Sequence, residues 1–405
     1  MGTPLVLADD LSGAAETAAA LGAHLRPELF LWPDVPTALS GRPIVVDLDT
    51  RHLPPADAEA RTRAAVEALP SAAPLFKKID SLLRGNIGAE VAPLAEAGAL
   101  VVVTPALPQQ GRTVVDGVLL DHGVPLDRTG LWALEPTLPP PRVAGVLGRL
   151  PISEIRLDAV RGPGLAEALA AAAGTVVVCD AETQRDLAAI TDAGLRADPH
   201  VRFVGSSALA RALAPHLTQP SEPAPVAPPR RPRGGVLYVL GTGSEAALRQ
   251  ADLLRERAAA TGFTLPAPDL ARLTPELAGE LGRQLASPLG NRSMVVQVTR
   301  SSEVVPGSAV VAGLAALVTS AVAAAPGWPV RLVLSGGQTA RAVLDALGRP
   351  GLTLVEEIHP GAVLMATDAG WLVATRPGSH GGPDSLWSIH QAMYTPFTEP
   401  GDTHE

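Results

Sequence analysis

An α/β fold in two domains, each a largely parallel sheet flanked by helices, is the architecture this sequence predicts. Three observations carry it. Short apolar runs repeatedly end in a polar turn and lead into a helix-like stretch, the grammar of a parallel sheet. The chain has 405 residues, more than one ordinary core accommodates. The composition also breaks sharply once, where prolines stand at 220, 223, 225, 228, 229 and 232 beside Arg230, Arg231 and Arg233. Such a segment is stiff, extended and hydrophilic. The expected division is therefore a domain over 1–217, a Pro-rich linker over 218–234 and a domain over 235–405.

Composition narrows the function. With 46% hydrophobic and 18% charged residues the chain reads as soluble and globular. A formal net charge of −9 argues against nucleic acid, which selects a basic face. Small anions stay open, because local lysines and arginines can converge on them. Cys179 is the one cysteine, so no internal disulfide forms and a reducing, cytoplasmic setting is expected. The amino terminus meets Asp9 and Asp10 without a basic region, unlike a signal peptide. The longest apolar tract, 310–326, is too short for a membrane span and predicts a buried helix.

Leu5-Val6-Leu7-Ala8 predicts the first strand, and 14–21 the helix after it. Asp9 and Asp10 lie between them. Adjacent carboxylates at a strand end are costly unless a cation, a proton or a hydroxyl-rich ligand joins them; alternatively, Asp10 or Ser12 caps the helix. Ile44-Val45-Val46-Asp47 predicts a second strand, with Arg51 just beyond and a helix over 56–69. Arg51 suits bidentate carboxylate recognition, or else pairs with Asp47 or Asp49.

The stretch 76–86 then concentrates Lys77, Lys78, Asp80, Ser81, Arg84 and Asn86 where a buried strand opens into a polar loop. Ligands of open α/β sheets bind outside the carboxyl ends of strands. Lys78 and Arg84 could hold an anion there, and Asp80 and Ser81 hydroxyls. A helix is expected over 89–97 and a strand over 99–104. Prolines and glycines in 105–117 predict a shaped loop with no continuing element, carrying Gln110, Arg112, Thr113 and Asp116. Strands over 175–180 and 202–205 complete the first half.

Beyond the linker, strands are expected over 235–240, 293–299 and 328–334, and helices over 245–261, 308–325 and 340–347. Ser335-Gly336-Gly337-Gln338-Thr339-Ala340 joins the last strand to the last helix. Glycines let a phosphate approach the backbone, and a new helix offers it free N–H groups. The turn lacks the lysine of a Walker A loop. A second glycine-rich turn, with Gly378, His380, Gly381 and Gly382, follows a strand ending near Arg376.

In this order the motifs resemble the four-carbon acid sugar kinase family, ATP-dependent kinases of threonate, erythronate and 3-oxo-tetronate. Ala8-Asp9-Asp10-Leu11-Ser12-Gly13-Ala14 is similar to the family's Ala-Asp-Asp-Leu-Thr-Gly-Ala. Lys77-Lys78-Ile79-Asp80-Ser81-Leu82-Leu83-Arg84-Gly85-Asn86 resembles Lys-Lys-Ile-Asp-Ser-Thr-Leu-Arg-Gly-Asn, with Leu82 where the family has threonine. The segment 105–113 resembles Pro-Ala-x-Pro-x-x-Gly-Arg-Thr. Gln338 replaces the glutamate of Ser-Gly-Gly-Glu-Thr-Ala, and 376–381 is an altered Lys-x-Gly-x-Phe-Gly.

The resemblance implies an amino-terminal domain that holds the acid sugar and a carboxyl-terminal domain that binds ATP, with Mg2+ as the companion ion. Asp9, Asp10, Arg51, Lys78, Ile79, Asp80, Ser81 and Arg84 would contact the substrate. Ser244, Gly336, Gly337, Gln338, Thr339 and Gly381 would contact ATP, and no residue is assigned to a metal. Arg51, Lys78 and Arg84 would neutralise the sugar carboxylate, and Asp10 would orient or deprotonate the terminal hydroxyl. A homo-oligomer stays open. The rival readings are a sensor that binds without turnover and an NAD-dependent dehydrogenase, for which no complete glycine fingerprint with a following acid is present.

Overall fold

Burial on both faces is what makes strands of the short apolar runs, as parallel sheets covered by helices require. In the computed structural model, which describes residues 4–36, 41–69, 74–133, 135, 137–217, 234–299, 301–378 and 381–394, β1 (Leu5–Ala8) is buried at all four positions. The chain divides into two compact units, Met1–Ser221 and Glu222–Glu405. All of the expected linker except Gly234 lies outside the described residues.

In the first unit β1 is followed by β2 (Glu28–Leu31), β3 (Ile44–Asp47), β4 (Leu75–Lys78) and β5 (Val101–Thr104). Then come β6 (Arg112–Val115), β7 (Val118–Asp121), β8 (Val124–Pro125), β9 (Ile152–Ile155), β10 (Val176–Cys179) and β11 (Arg202–Gly205). The order β2-β3-β1-β4-β11-β5-β10-β9 is parallel throughout. From β1 the chain passes to the outer strand β2, returns to β3 beside β1, and then crosses to the other side of β1 with β4. This is the topological switch point at which open sheets form a crevice. Parallel register sets Ala8 level with Asp47 and Lys78, and Gly205 level with Lys78 and Thr104. The residues after each of these strand ends therefore share one edge of the sheet.

Two local expectations are corrected. The segment 105–117 is not a plain loop: after a 3-10 turn at Pro108–Gln110, β6 pairs antiparallel with β7, and β7 with β8. Its glycines are the punctuation of that meander, Gly111 and Gly117 sitting at φ +70° and +71° at either end of β6. The expected helix over 89–97 is only Ile87–Val91, succeeded by 3-10 turns that begin around Pro93. Strand β2, with alternating burial, was not anticipated.

In the second unit the strands are β12 (Leu237–Leu240), β13 (Thr261–Pro266), β14 (Met294–Thr299), β15 (Arg331–Ser335), β16 (Leu352–His359), β17 (Ala362–Ala366) and β18 (Leu372–Arg376). The order is β13-β14-β12-β15-β18-β17-β16; the first five are parallel and the last two antiparallel additions. Leu240, Gln297, Ser335 and Arg376 end in one row. Strands β13 and β16 and the helix Pro275–Leu289 were not foreseen. The helix after β15 is Gly337–Ala346, so it begins three residues earlier than expected and takes Gln338 and Thr339 into its first turn. The apolar tract near 310–326 forms the helix Gly307–Ala323, buried along Val310, Leu314, Leu317, Val318 and Ala321. Among the described residues no helix is long and apolar enough to cross a membrane.

Alternation along β4 separates its two lysines. Lys77 is fully buried and meets Glu90 of the helix Ile87–Val91 at 2.9 Å, while Lys78 belongs to the opposite face. The ion pair ties β4 to the helix that follows it. Glu90→Gln would leave a buried ammonium without its counter-charge, and urea denaturation should read a loss of about 3–5 kcal/mol in the first unit. Replacing both partners with Met and Leu should restore most of it.

Candidate functional site

Arg51 is the centre of the first unit's polar edge. Its Nε donates to Asp9 Oδ2 at 2.8 Å, and its two terminal nitrogens form a fork on Asp10, at 2.6 Å to Oδ2 and 2.9 Å to Oδ1. The cation that joins the adjacent carboxylates is thus the protein's own. Asp47 accepts from the Asp49 backbone N–H at 2.9 Å, while the side-chain hydrogen bonds of Arg51 among the described residues go to Asp9 and Asp10. Asp10 also caps the helix Leu11–Leu21, accepting from Gly13 N at 2.8 Å. Both readings of this residue are realised at once.

The loop that carries Arg51 is fastened to the stretch 76–86. Asn86 Nδ2 donates to the carbonyls of Thr50 at 2.9 Å and Leu53 at 2.8 Å. Gly85, at φ +90°, lies so close to Arg51 that an added Cβ would stand 3.2 Å from its Cγ. Asp80 accepts from Arg84 Nε at 2.7 Å and Nη2 at 3.0 Å, so Arg84 is committed to a protein carboxylate. Ser81 Oγ accepts from Arg112 Nη1 at 2.7 Å. Trp132 Nε1 holds the Leu82 carbonyl at 2.8 Å.

Lys78 differs from its neighbours. It is buried, its Nζ donates to the Ile79 carbonyl at 3.1 Å, and it forms no ion pair among the described residues. Its charge acts on Asp9, Asp80 and Glu16 through space, without a direct ion pair. Asp9, 2% exposed, keeps Oδ1 buried without a hydrogen-bond partner among the described residues. A buried carboxylate oxygen without a donor is disfavoured, and a ligand hydroxyl would satisfy it. Burial pushes Asp9 up, but the charges of Arg51, Lys77 and Lys78 outweigh it and hold the group below the usual carboxylate range. Burial opposes the charge on Arg51 as well, and Asp10, Asp9 and Asp80 keep it protonated well above its ordinary value.

Sequence reasoning did not single out Glu16, Trp132 or Asp180. Asp180 follows β10 and accepts from the backbone N–H groups of Asp116 and Gly117 at 2.9 and 2.8 Å, anchoring the hairpin that brings Arg112 to Ser81. Only an isolated acid after a strand signalled it. Cys179 is fully buried and its thiol is pushed up to about 12 by burial, beside Asp180. It is a packing residue.

The second unit gathers its predicted residues at the row of strand ends. Ser244 caps the helix Glu245–Ala258, accepting from Ala247 N at 3.2 Å. Gly336, at φ +104°, precedes the helix Gly337–Ala346, whose amino end has no side-chain cap. Its first N–H groups are therefore open to an anion. Gly241 is obligatory: a Cβ there would stand 1.9 Å from Thr339 Oγ1. Arg376, buried, donates to Ser335 Oγ at 3.0 Å, Ser385 Oγ at 3.1 Å and the Gly378 carbonyl at 3.3 Å, and its own carbonyl accepts from Gly336 N at 2.9 Å. Gln250 clamps the carbonyls of Gly381 and Gly382 at 3.1 and 2.8 Å. Neither Gln250 nor Arg376 was assigned a role from sequence. A cavity of ≈ 360 Å³ lined by Gly243, Glu245, Leu248, Val298 and Thr299 adjoins Ser244. His380 lies outside the described residues.

Comparison with known proteins agrees with this division. The family described as "Sugar-binding N-terminal domain" matches residues 4–213, and that described as "Nucleotide-binding C-terminal domain" matches 237–386. The chain is 35% identical to the D-threonate kinase of Cupriavidus necator, over 96% of this chain and 97% of that protein. It is 34% identical to the 3-oxo-tetronate kinase of Methylobacterium radiotolerans, over 93% and 96% of the two chains. It is 29% identical to the D-erythronate kinase of Heliobacterium modesticaldum, over 89% of each. A crystal structure of a Haemophilus influenzae protein shares the fold at a TM-score of 0.74 and 22% identity, over 96% of this chain and 100% of that one.

Asp80 makes the first unit sensitive to acid. Burial pushes its carboxyl up, but the hydrogen bonds of Arg84 and the charges of Arg51, Arg84 and Lys78 outweigh that and hold it far below the usual range. A carboxylate whose folded pKa is depressed stabilises the fold above its unfolded value, about 3.9. That contribution is lost as pH falls further toward the folded value. Denaturation at a series of pH values should show Asp80→Asn less stable than wild type at neutral pH, with the gap narrowing below about pH 4.

Proposed function

The chain belongs to the four-carbon acid sugar kinase family, and we propose on that premise that it transfers the γ-phosphoryl group of ATP to the terminal (4-) hydroxyl of threonate, erythronate or 3-oxo-tetronate. The observation that carries this reading is similarity, along nearly the whole chain, to kinases named for each of these acids. The polar edge of the first unit supports it chemically, since it offers a buried ammonium with no direct ion pair among the described residues beside carboxylates able to take hydroxyls.

In this reading Lys78 binds the sugar carboxylate. Arg51 and Arg84 act through Asp9, Asp10 and Asp80, which they hold in fixed orientations. Asp9 Oδ1, Asp80 and Ser81 accept or donate hydrogen bonds to the sugar hydroxyls, with the Ile79 backbone alongside, and Asp10 orients the acceptor end. Arg112 and Trp132 position Ser81 and the 82 carbonyl for that work. The fixed array supplies orientation, which is most of what phosphoryl transfer asks of a protein.

The second unit binds ATP, with Gly336, Gly337, Gln338 and Thr339 presenting helix N–H groups to phosphate and Ser244 and Gly381 bounding the site. Among the described residues no three His, Cys, Asp or Glu converge as a metal cage. Mg2+ usually keeps several waters and rides on nucleotide phosphates, so the hydroxyls of Ser244 and Thr339 fit such an ion. Bound there, it would offset phosphate charge. ATP supply goes with a cytoplasmic setting.

The test is ADP release from the purified chain with ATP, Mg2+ and a panel of D- and L-threonate, D- and L-erythronate and the 3-oxo acids. One four-carbon acid should raise ADP formation well above the ATP-only rate, and its removal should abolish it. Binding of an acid without ADP formation would establish a sensor, and turnover only with NAD a dehydrogenase; either contradicts the kinase.

A further inference from the structure

The carboxylates at the first unit's polar edge are not equally engaged by the protein's own hydrogen-bond donors. Asp10 Oδ2 is held at 2.6 Å by Arg51, and Oδ1 takes both Arg51 at 2.9 Å and the Gly13 N–H at 2.8 Å. Asp80 takes two side-chain donors from Arg84, at 2.7 and 3.0 Å, and that residue's backbone N–H at 3.2 Å. Asp9 has one oxygen on Arg51 and sits below the usual carboxylate range. Asp10 and Asp80 thus have both oxygens engaged by protein donors, which leaves them oriented acceptors.

Glu16 is different. It lies in the helix Leu11–Leu21, one turn beyond Gly13 and on the same face. That face opens onto the site: a Cβ at Gly13 would stand 2.7 Å from Asp10 Oδ1 and 2.9 Å from Lys78 Nζ. Helical side chains lean toward the amino end of their helix, the direction that leads from Glu16 back toward the Gly13 turn, and Lys78 and Asp10 both act on Glu16 electrostatically. It is half-buried and has no hydrogen bond or ion pair among the described residues. The charges that face it are Lys78 at the end of β4, Asp10 at the helix cap, Arg51 after β3 and Asp80 in the loop beyond Lys78.

Resting on the kinase reading above, we propose that Glu16 is the general base of the reaction, accepting the proton of the substrate's terminal hydroxyl. As that oxygen forms its bond to the γ-phosphorus, the bond from the γ-phosphorus to the β–γ bridging oxygen breaks. ADP leaves with the electron pair, and the hydroxyl proton passes to a Glu16 carboxylate oxygen. Asp10 orients the hydroxyl without taking its proton. Burial, helped by the negative charges of Asp10 and Asp80 and opposed by Lys78 and Arg51, raises Glu16 above the ordinary glutamate value. A raised carboxylate is the better match to proton transfer near neutral pH.

The experiment compares wild type, Glu16→Gln and Glu16→Asp as full-length chains, on the acid that gives the wild type its ADP release. Circular dichroism and ATP binding verify that each variant is folded. Glu16→Gln should lower kcat by about 100-fold or more while KM for the acid and for ATP stays within a few-fold. Wild-type kcat should fall at acid pH as the base is protonated, and this limb should vanish in Glu16→Gln. Glu16→Asp should keep the limb and recover part of kcat. A Glu16→Gln enzyme with wild-type kcat and an intact acid limb overturns the proposal and leaves the kinase reading standing. A wild type that releases no ADP with any acid of the panel overturns both.

Discussion

Arg51 holds together two carboxylates that neighbour each other in sequence and would otherwise repel at one strand end. The fork on Asp10 and the single bond to Asp9 use the planar geometry that distinguishes arginine from lysine. The arrangement depends on topology as much as on charge. Strands β1, β3 and β4 lie side by side in parallel, so the residues after Ala8, Asp47 and Lys78 emerge at one level. Asn86 and Gly85 then fasten the Arg51 loop to the segment that carries Lys78, Asp80 and Ser81. Remove the arginine and the acid pair loses its counter-charge, its geometry and part of its connection to the neighbouring loop.

The charge balance of this edge gives its chemistry. Arg51 and Arg84 are neutralised by Asp9, Asp10 and Asp80, and Lys77 by Glu90. Among the described residues Lys78 is the cation of this edge without a direct ion pair, and in the proposed reading it would take the ligand carboxylate. The ligand hydroxyls would then meet acceptors whose orientation is set beforehand, including the buried oxygen of Asp9. The second unit uses backbone instead of charge. An uncapped helix start, a positive-φ glycine at 336 and a buried arginine at 376 bracing the turn from behind leave N–H groups that, in the proposed reading, would meet phosphate.

Much of this was legible in the sequence because parallel sheets place function at strand ends, and strand ends are where polar residues interrupt apolar runs. The motifs at 9–10, 51 and 78–84 were found that way, as was the turn at 335–340. What the sequence could not give was pairing. From sequence Arg51 either read a ligand carboxylate or paired with Asp47 or Asp49, and register instead placed it on Asp9 and Asp10. Glu16 escaped notice because it sits mid-helix in an alanine-rich stretch, where a lone acid usually marks a solvated face. Strand β6 was hidden by the prolines and glycines around it, and β2, β13 and β16 by their brevity or their half-polar composition. Asp180 and Arg376 bond to partners tens of residues away, Gly117 and Ser335, which no local pattern signals.

The central claim is that the first unit's polar edge binds the acid sugar, with Lys78 as the partner of its carboxylate. Calorimetric titration of wild type and Lys78→Met with the preferred acid, and separately with ATP, tests it directly. A charge-assisted hydrogen bond contributes roughly 1.5–3 kcal/mol, so affinity for the acid should fall by about 10- to 100-fold while affinity for ATP is unchanged. Equal affinity of the two proteins for the acid would contradict the account.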